Sequence, residues 1–225
     1  MEDELLNAVR VTPSTKIRFK CTGCAACCRH VKESVPVNSL DVFYLTKHLR
    51  DTGLDICCTD EFLAQFATVA LLDDCGYFVY FLKSVGGDDS CIFLNENRCS
   101  VQPAKPMACR LYPFMVEPNE AGVFRYLYSR EREHHFCGPV VETRNWMKKY
   151  FQPEARAFMQ ADFADTLPIA RLLRSIPEHG KKDALFHFHR LRYSEFDLDR
   201  PFLEQFQKNQ KQLLAILGRM AEKTK

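Results

Sequence analysis

The stretch "KCTGCAACCRH", residues 20–30, decides how this chain is to be interpreted. It places four cysteines within eight positions, and the last two are adjacent. A run of this kind is open to three uses, namely thiol–disulfide exchange, a disulfide framework or metal binding. The rest of the sequence supplies the observations that choose among them.

Length and composition set the limits for the whole chain. Its 225 residues suit one domain, or one domain with an extension, and 46% hydrophobic residues allow a real core. The formal net charge of +2 gives no electrostatic footprint for nucleic acid, so no such partner is expected. The start, "MEDELLNAVR", lacks the apolar core of a signal peptide, and no apolar run is long enough to cross a membrane. We therefore expect a cytoplasmic protein without a membrane partner.

The cysteine count favours metal binding. In a reducing compartment cysteines serve metal binding or catalysis, and the odd count of 11 prevents complete disulfide pairing. Thiol exchange requires C-x-x-C in a βαβ setting, which does not surround residues 20–30. Bacterial ferredoxins use C-x₂-C-x₂-C for most of one iron–sulfur cluster, whereas zinc sites usually show two separated pairs. A four-iron cluster is therefore favoured over zinc as the cofactor.

The further ligands must come from distant parts of the chain. Eight cysteines are predicted as metal ligands: Cys21, Cys24, Cys27, Cys28, Cys91, Cys99, Cys109 and Cys137. They suit two four-thiolate sites, or one site with four supporting thiols. Adjacent side chains of an extended chain point to opposite sides, so Cys27 and Cys28 are not expected to serve one metal in the same way. Cys57, Cys58 and Cys75 have apolar surroundings and are predicted to be buried packing residues.

Several polar residues accompany these cysteines. Arg110 follows a candidate ligand, and it either offsets the negative charge of a thiolate centre or lies at the surface. His30, His134 and His135 are alternative nitrogen ligands for a mixed site, but they are expected more often to be partly exposed hydrogen-bonding residues. The acidic pairs at 73–74 and 88–89 are expected to be solvated turn residues. His187 and His189 have no acidic or cysteine partner nearby in sequence, so coordination there is not expected.

Local patterns predict both helices and strands. Residues 37–53 predict a helix with Asn38 or Ser39 as its cap, and residues 59–72 predict a second helix. Residues 76–83 and 90–94 predict two strands joined by a turn, and residues 114–129 predict a further hairpin.

Residues 141–225 look mainly helical, and the last helix has one apolar face. The predicted fold class is therefore α+β. A cysteine-rich metal-binding domain with short antiparallel hairpins and helices is expected at residues 1–140. A helical C-terminal extension, residues 141–225, is expected to pack on it.

Three segments together resemble a known family. "FKCTGCAACCR", "CIFLNENRCSVQPAKPMACRLYPF" and "HFCG" resemble the YkgJ, or CxxCxxCC, cysteine-cluster family over about residues 17–140. The resemblance implies a domain that chelates zinc or iron. The sequence departs from the family pattern at two positions, where Lys105 replaces the usual arginine and Val101 the usual isoleucine. Both changes are mild and leave the candidate ligands intact. A more distant resemblance to flagellin lysine-N-methylase implies an iron–sulfur cluster and S-adenosylmethionine, but no glycine-rich cofactor loop follows a strand here.

Three functions are thus carried forward. The first is a metal-binding protein that holds an iron–sulfur cluster or zinc for structure, electron transfer or metal handling. The second is a cluster-dependent methyltransferase that acts on a protein side chain, and whether the chain is an enzyme is left open. The third is an interaction module in which zinc supports a small fold and the C-terminal helices bind a protein partner. An open coordination position distinguishes a catalytic centre from a closed structural one.

Overall fold

The computed structural model describes residues 8–21, 23–119, 121–129 and 138–222. Its strands are β1 (Ala8–Val11), β2 (Lys16–Arg18), β3 (Pro36–Val37), β4 (Ala67–Leu71), β5 (Phe78–Leu82), β6 (Ser84–Val85), β7 (Ser90–Cys91), β8 (Leu94–Asn95), β9 (Arg98–Cys99), β10 (Phe114–Pro118), β11 (Phe124–Ser129) and β12 (Val140–Glu142). Its α-helices are α1 (Ser39–Asp51), α2 (Thr59–Phe66), α3 (Met107–Leu111), α4 (Thr143–Tyr150), α5 (Pro153–Ser175), α6 (Glu178–His189) and α7 (Phe202–Glu222). Short 3₁₀ helices cover Ala26–Cys28 and Gln102–Ala104, and a π-helical turn covers Arg190–Ser194.

The described strands pair antiparallel in small sheets. Two sheets have three strands, in the orders β1-β11-β10 and β3-β5-β4, and β12 pairs with β2. Two-residue strands form the β6–β7 and β8–β9 pairs. Helices, short sheets and a cysteine-rich segment occur together, so the predicted α+β class is confirmed.

The first predicted helix is α1, and it begins directly after its predicted cap residue, Asn38. The Asn38 side chain accepts a hydrogen bond from the Asp41 backbone N–H at 2.9 Å, which satisfies one free donor of the first turn. The second predicted helix was too long, because it ends at Phe66 and residues 67–71 form β4. The branched side chains of Thr68 and Val69 suit a strand, and pairing with β5 prevails over continued helix.

The C-terminal helices complete two hydrophobic clusters that also contain residues from the first half of the chain. One cluster brings Leu173 and Leu213 together with Phe62 and Cys91. The other places Phe206 in the group that contains Phe43 and Leu111. The C-terminal helices therefore supply part of the hydrophobic packing around the segments that carry the cysteines. The domain boundary near residue 140 stays a prediction.

Within the described ranges, no helix is both long enough and apolar enough to cross a bilayer.

Candidate metal centre

The first cysteine loop turns sharply before Cys27. Gly23 has a φ of +68° and Ala25 a φ of +59°, both in the left-handed region. An alanine there costs about 1–2 kcal/mol, so the surrounding contacts must hold the turn. The Cys28 N–H donates to the Ala25 carbonyl at 2.9 Å and closes the 3₁₀ helix Ala26–Cys28.

This helical turn changes the relation between the adjacent cysteines. Their Sγ atoms are 3.9 Å apart, so the expectation that they point to opposite sides was wrong. The reason is local, because a 3₁₀ helix rotates consecutive side chains by about 120° rather than 180°. Two thiolates on one tetrahedral zinc ion are about 3.8 Å apart, from a Zn–S distance of about 2.3 Å. Cys27 and Cys28 are therefore close enough to act on the same centre.

Arg29 ties this loop to the second cysteine segment. Its guanidinium pairs with Asp88 at 2.5 Å and donates to the Asn97 side chain at 2.7 Å. A backbone hydrogen bond joins the same two segments, because the Val31 N–H donates to the Asp89 carbonyl at 2.9 Å. Hydrogen bonds from Ser90 and Arg29 lower the pKa of Asp88, so its charge is retained. The acidic pair at 88–89 lies in a turn, as expected from sequence, and in addition links the two segments.

We expect Arg29→Ala to weaken metal retention by about 10–100-fold, as is typical when a group that orients a ligand is lost. The free energy of unfolding of the metal-free protein should fall by less than about 1 kcal/mol, because the ion pair is partly exposed. Competition with a chelator and urea unfolding measure the two effects. Arg174→Ala is the matched control, since Arg174 also pairs with an aspartate, Asp73, at 3.1 Å. An equal loss of metal from both variants would show that Arg29 has no special role.

Two hairpin turns position Cys91 and Cys99. Cys91 ends β7 opposite Ser84, and Cys99 ends β9 opposite Leu94. The two residues between β8 and β9, Glu96 and Asn97, both have positive φ, as a type I′ turn requires. The chain between the two cysteines therefore folds back on itself.

Cys109 lies on the short helix α3, which Asp41 anchors from α1. The Asp41 carboxylate is buried and accepts the Met107 N–H at 2.8 Å, at the start of α3. Burial raises the pKa of Asp41 to about 6, although the Met107 hydrogen bond and the Arg110 charge act in the opposite direction. Arg110 Nε is buried without a hydrogen-bond partner in the described structure. The Arg110 charge thus acts on Asp41, and its role in offsetting thiolate charge stays a prediction. The Lys105 charge lowers the pKa of the Cys99 thiol, against the effect of burial.

Four of the predicted ligands converge: Cys27, Cys91, Cys99 and Cys109, called here the cysteine quartet. Burial raises the pKa of Cys109, and the thiols of Cys91, Cys27 and Cys99 raise it further. Burial is also the main cause of the raised pKa of Cys91 and of Cys99, and other quartet thiols again add to it. Each of the six pairs of quartet thiols therefore interacts electrostatically, one thiol raising the pKa of the other. Beside them, a hydrogen bond with Cys27 is the main cause of the raised pKa of Cys28.

These raised pKa values imply that metal affinity increases with pH. Near neutrality Cys91, Cys99 and Cys109 of the metal-free protein hold their protons, whereas metal ligands must be thiolates, so binding releases protons. Co²⁺ titration of metal-free protein between about pH 6 and 8 should show tighter binding at the higher pH. Calorimetry in two buffers of different ionisation enthalpy should show proton release. Affinity that does not change with pH would contradict this description of the thiols.

The other predicted ligands are placed differently. Cys21 and Cys24 are exposed in the described structure. Cys137, like His134 and His135, lies outside the described residues. Its chain neighbour Gly138 has a φ of +87°, and a Cβ there would come within 2.8 Å of Lys20 Cβ, so only glycine fits.

One group of side chains has the compact spacing of a single-ion site, which was not predicted from the sequence. Among the described residues, the only three ligand atoms that all lie within 4.8 Å of one another belong to Cys57, Cys58 and Glu61. Cys57 is exposed and Cys58 half-buried, so the prediction that both are buried packing residues was wrong. The prediction holds for Cys75, which is 2% exposed.

His189 also has partners that the sequence did not reveal. Its Nε2 lies 2.9 Å from an Asp60 carboxylate oxygen, and its Nδ1 lies 2.9 Å from the Tyr80 hydroxyl. Asp60 is distant in sequence and reaches His189 only through the packing of α2 against the end of α6. Through these contacts His189 joins α2, β5 and α6.

The fold and the converging thiols define a cysteine-rich metal-binding protein. The sequence profile of the CxxCxxCC family, described as "Putative zinc- or iron-chelating domain", matches residues 20–138, which is more than half of the chain. The chain therefore belongs to the CxxCxxCC family. Comparisons with curated proteins and with solved structures returned no match.

Proposed function

We propose that the cysteine quartet holds a four-iron iron–sulfur cluster. The spread of its thiols is the observation that carries this proposal. Thiolates on one zinc ion are about 3.8 Å apart, yet no three quartet sulfurs lie within 4.8 Å of one another. A four-iron cluster takes one thiolate at each iron, so it suits a wider set of thiols.

The chemistry of the donors fits the same centre. All four quartet ligands are cysteines, the usual ligand set of a four-iron cluster. Cys91 and the neighbouring Val101 are buried, which limits the access of water. The Lys105 charge acts on the Cys99 thiol, and Asp41 holds the helix that carries Cys109. When bound, such a cluster supplies one-electron transfer or a structural cross-link between the two cysteine segments.

The remaining predicted ligands are proposed as a second thiolate set, comprising Cys21, Cys24, Cys28 and Cys137. The 3.9 Å separation of the Cys27 and Cys28 sulfurs supports a position for Cys28 at the edge of the quartet. Two adjacent centres, or one centre with supporting thiols, both agree with this arrangement.

Anaerobic purification with iron and acid-labile sulfide analysis tests the proposal. We expect a brown protein with about four iron and four sulfide per quartet. Colourless protein with stoichiometric zinc would overturn the cluster and leave zinc chelation as the function of the domain. Methyl transfer stays an expectation from resemblance. Calorimetry with S-adenosylmethionine tests it, and an absence of binding to the metal-loaded protein would remove its support.

A further inference from the structure

Cys57 and Cys58 form an adjacent pair of thiols outside the quartet. They come immediately before α2, with Cys58 at the cap position and Glu61 in the first turn. Cys57 is exposed and Cys58 is half-buried, so solvent and dissolved ions reach the pair. Neither the family description nor the proposed cluster requires these residues, because the family profile is named for the CxxCxxCC run.

Glu61 is already oriented toward the two thiols. One of its carboxylate oxygens accepts the Cys57 N–H at 2.6 Å, and the other accepts the Cys57 thiol at 3.4 Å. A glutamate three residues after a helix cap commonly reaches back in this way. Little side-chain entropy is therefore left to lose when the carboxylate binds a third atom.

The spacing matches that of one tetrahedral metal ion. The two sulfurs and a carboxylate oxygen all lie within 4.8 Å of one another. With Zn–S of about 2.3 Å and Zn–O of about 2.0–2.2 Å, a sulfur and an oxygen on one zinc ion are about 3.5 Å apart. The observed 3.4 Å from Cys57 Sγ to Glu61 Oε1 agrees with that value.

Charge and ligand type select the same ion. Two thiolates and one carboxylate around Zn²⁺ leave a net charge of −1, which the positive end of α2 favours. Thiolates exclude the hard cations Mg²⁺ and Ca²⁺, which take oxygen ligands. The hydrogen bond from Cys57 to Glu61 raises the pKa of that thiol, so an arriving ion must displace its proton.

We propose that Cys57, Cys58 and Glu61 form a separate metal site, which takes one Zn²⁺ through two thiolates and a carboxylate. Three protein ligands leave the fourth position to water or to an incoming ligand. This arrangement is that of an exchangeable or reactive zinc rather than of a closed structural site. The site is separate from the quartet and does not depend on which metal the quartet holds.

Zinc counting on the metal-loaded protein tests this proposal. Anaerobically purified full-length protein is analysed first for iron, sulfide and zinc, and then equilibrated with buffered Zn²⁺ and analysed again. We expect wild type to gain one more zinc ion per chain than the double variant Cys57→Ser, Cys58→Ser. Glu61→Gln should bind that ion more weakly, because it keeps the shape of the side chain and removes the charge.

Cys75→Ala is the matched control and should gain zinc as wild type does, because Cys75 is a buried thiol that is not part of the trio. Co²⁺ gives a second readout, since a thiolate charge-transfer band should appear in wild type and not in the double variant. The iron and sulfide contents should be the same in all variants, which keeps a failure of the cluster proposal distinguishable. Equal zinc uptake by wild type and the double variant would overturn the proposed site at Cys57, Cys58 and Glu61.

Discussion

Replacing Cys109 with serine is expected to remove most of the iron and sulfide bound by the protein. Cys109 interacts with the other three quartet thiols, and Asp41 fixes the helix that carries it. A serine hydroxyl is a poor substitute for thiolate at an iron–sulfur centre, so one missing ligand opens the cluster to water. The measurement is iron and sulfide per chain after anaerobic purification, and serine at Cys27, Cys91 or Cys99 should act alike.

The control for this prediction is Cys75→Ala. Cys75 is 2% exposed, belongs to a hydrophobic cluster and donates its thiol hydrogen to Asp73 at 2.7 Å. Its loss should lower the free energy of unfolding by about 0.5–3 kcal/mol and leave iron unchanged. If Cys75→Ala and Cys109→Ser lose the same amount of iron, the quartet does not define the ligands.

Removing the metal is expected to expose the two cysteine segments to proteolysis long before the C-terminal helices. Residues 23–31 and 91–113 contain only short helices and two-residue strands, and the proposed centre would join them. Metal binding supplies folding free energy where no regular structure does, so its loss is felt first in these segments. By contrast, Leu173, Phe206 and Leu213 are fully buried in the helical layer.

Limited proteolysis of metal-free and metal-loaded full-length protein, read by mass spectrometry, measures this effect. Early cleavage within residues 23–31 and 91–113 should appear only in the metal-free sample. Reconstitution with iron and sulfide should restore protection. If both segments resist proteolysis without metal, the centre is not structural, and electron transfer or a reactive role becomes the better account of the quartet.

Local chemistry made part of this structure predictable from sequence. Asn38 caps α1 because its side chain reaches the backbone three residues ahead, and that relation is visible in the sequence alone. The fold-back between Cys91 and Cys99 follows from turn-forming residues in the same way. The ferredoxin-like spacing pointed to metal, and the family match to a zinc- or iron-chelating domain supports metal binding.

Contacts between distant residues made the rest unpredictable. Residues 67–71 become a strand because β5 is available to pair with them. The link from Arg29 to Asp88 spans 59 positions, and no local pattern reports it. The 3₁₀ turn that brings the Cys27 and Cys28 sulfurs together depends on the left-handed conformation of Ala25. Alanine rarely adopts that conformation, so the sequence does not predict the turn.

X-ray absorption at the iron and zinc edges of anaerobically purified protein tests the cluster most directly. We predict iron with a sulfur shell and a second shell of iron neighbours, because the quartet is proposed to hold a polynuclear cluster. A zinc edge with four sulfurs at about 2.3 Å and no metal neighbour would contradict it.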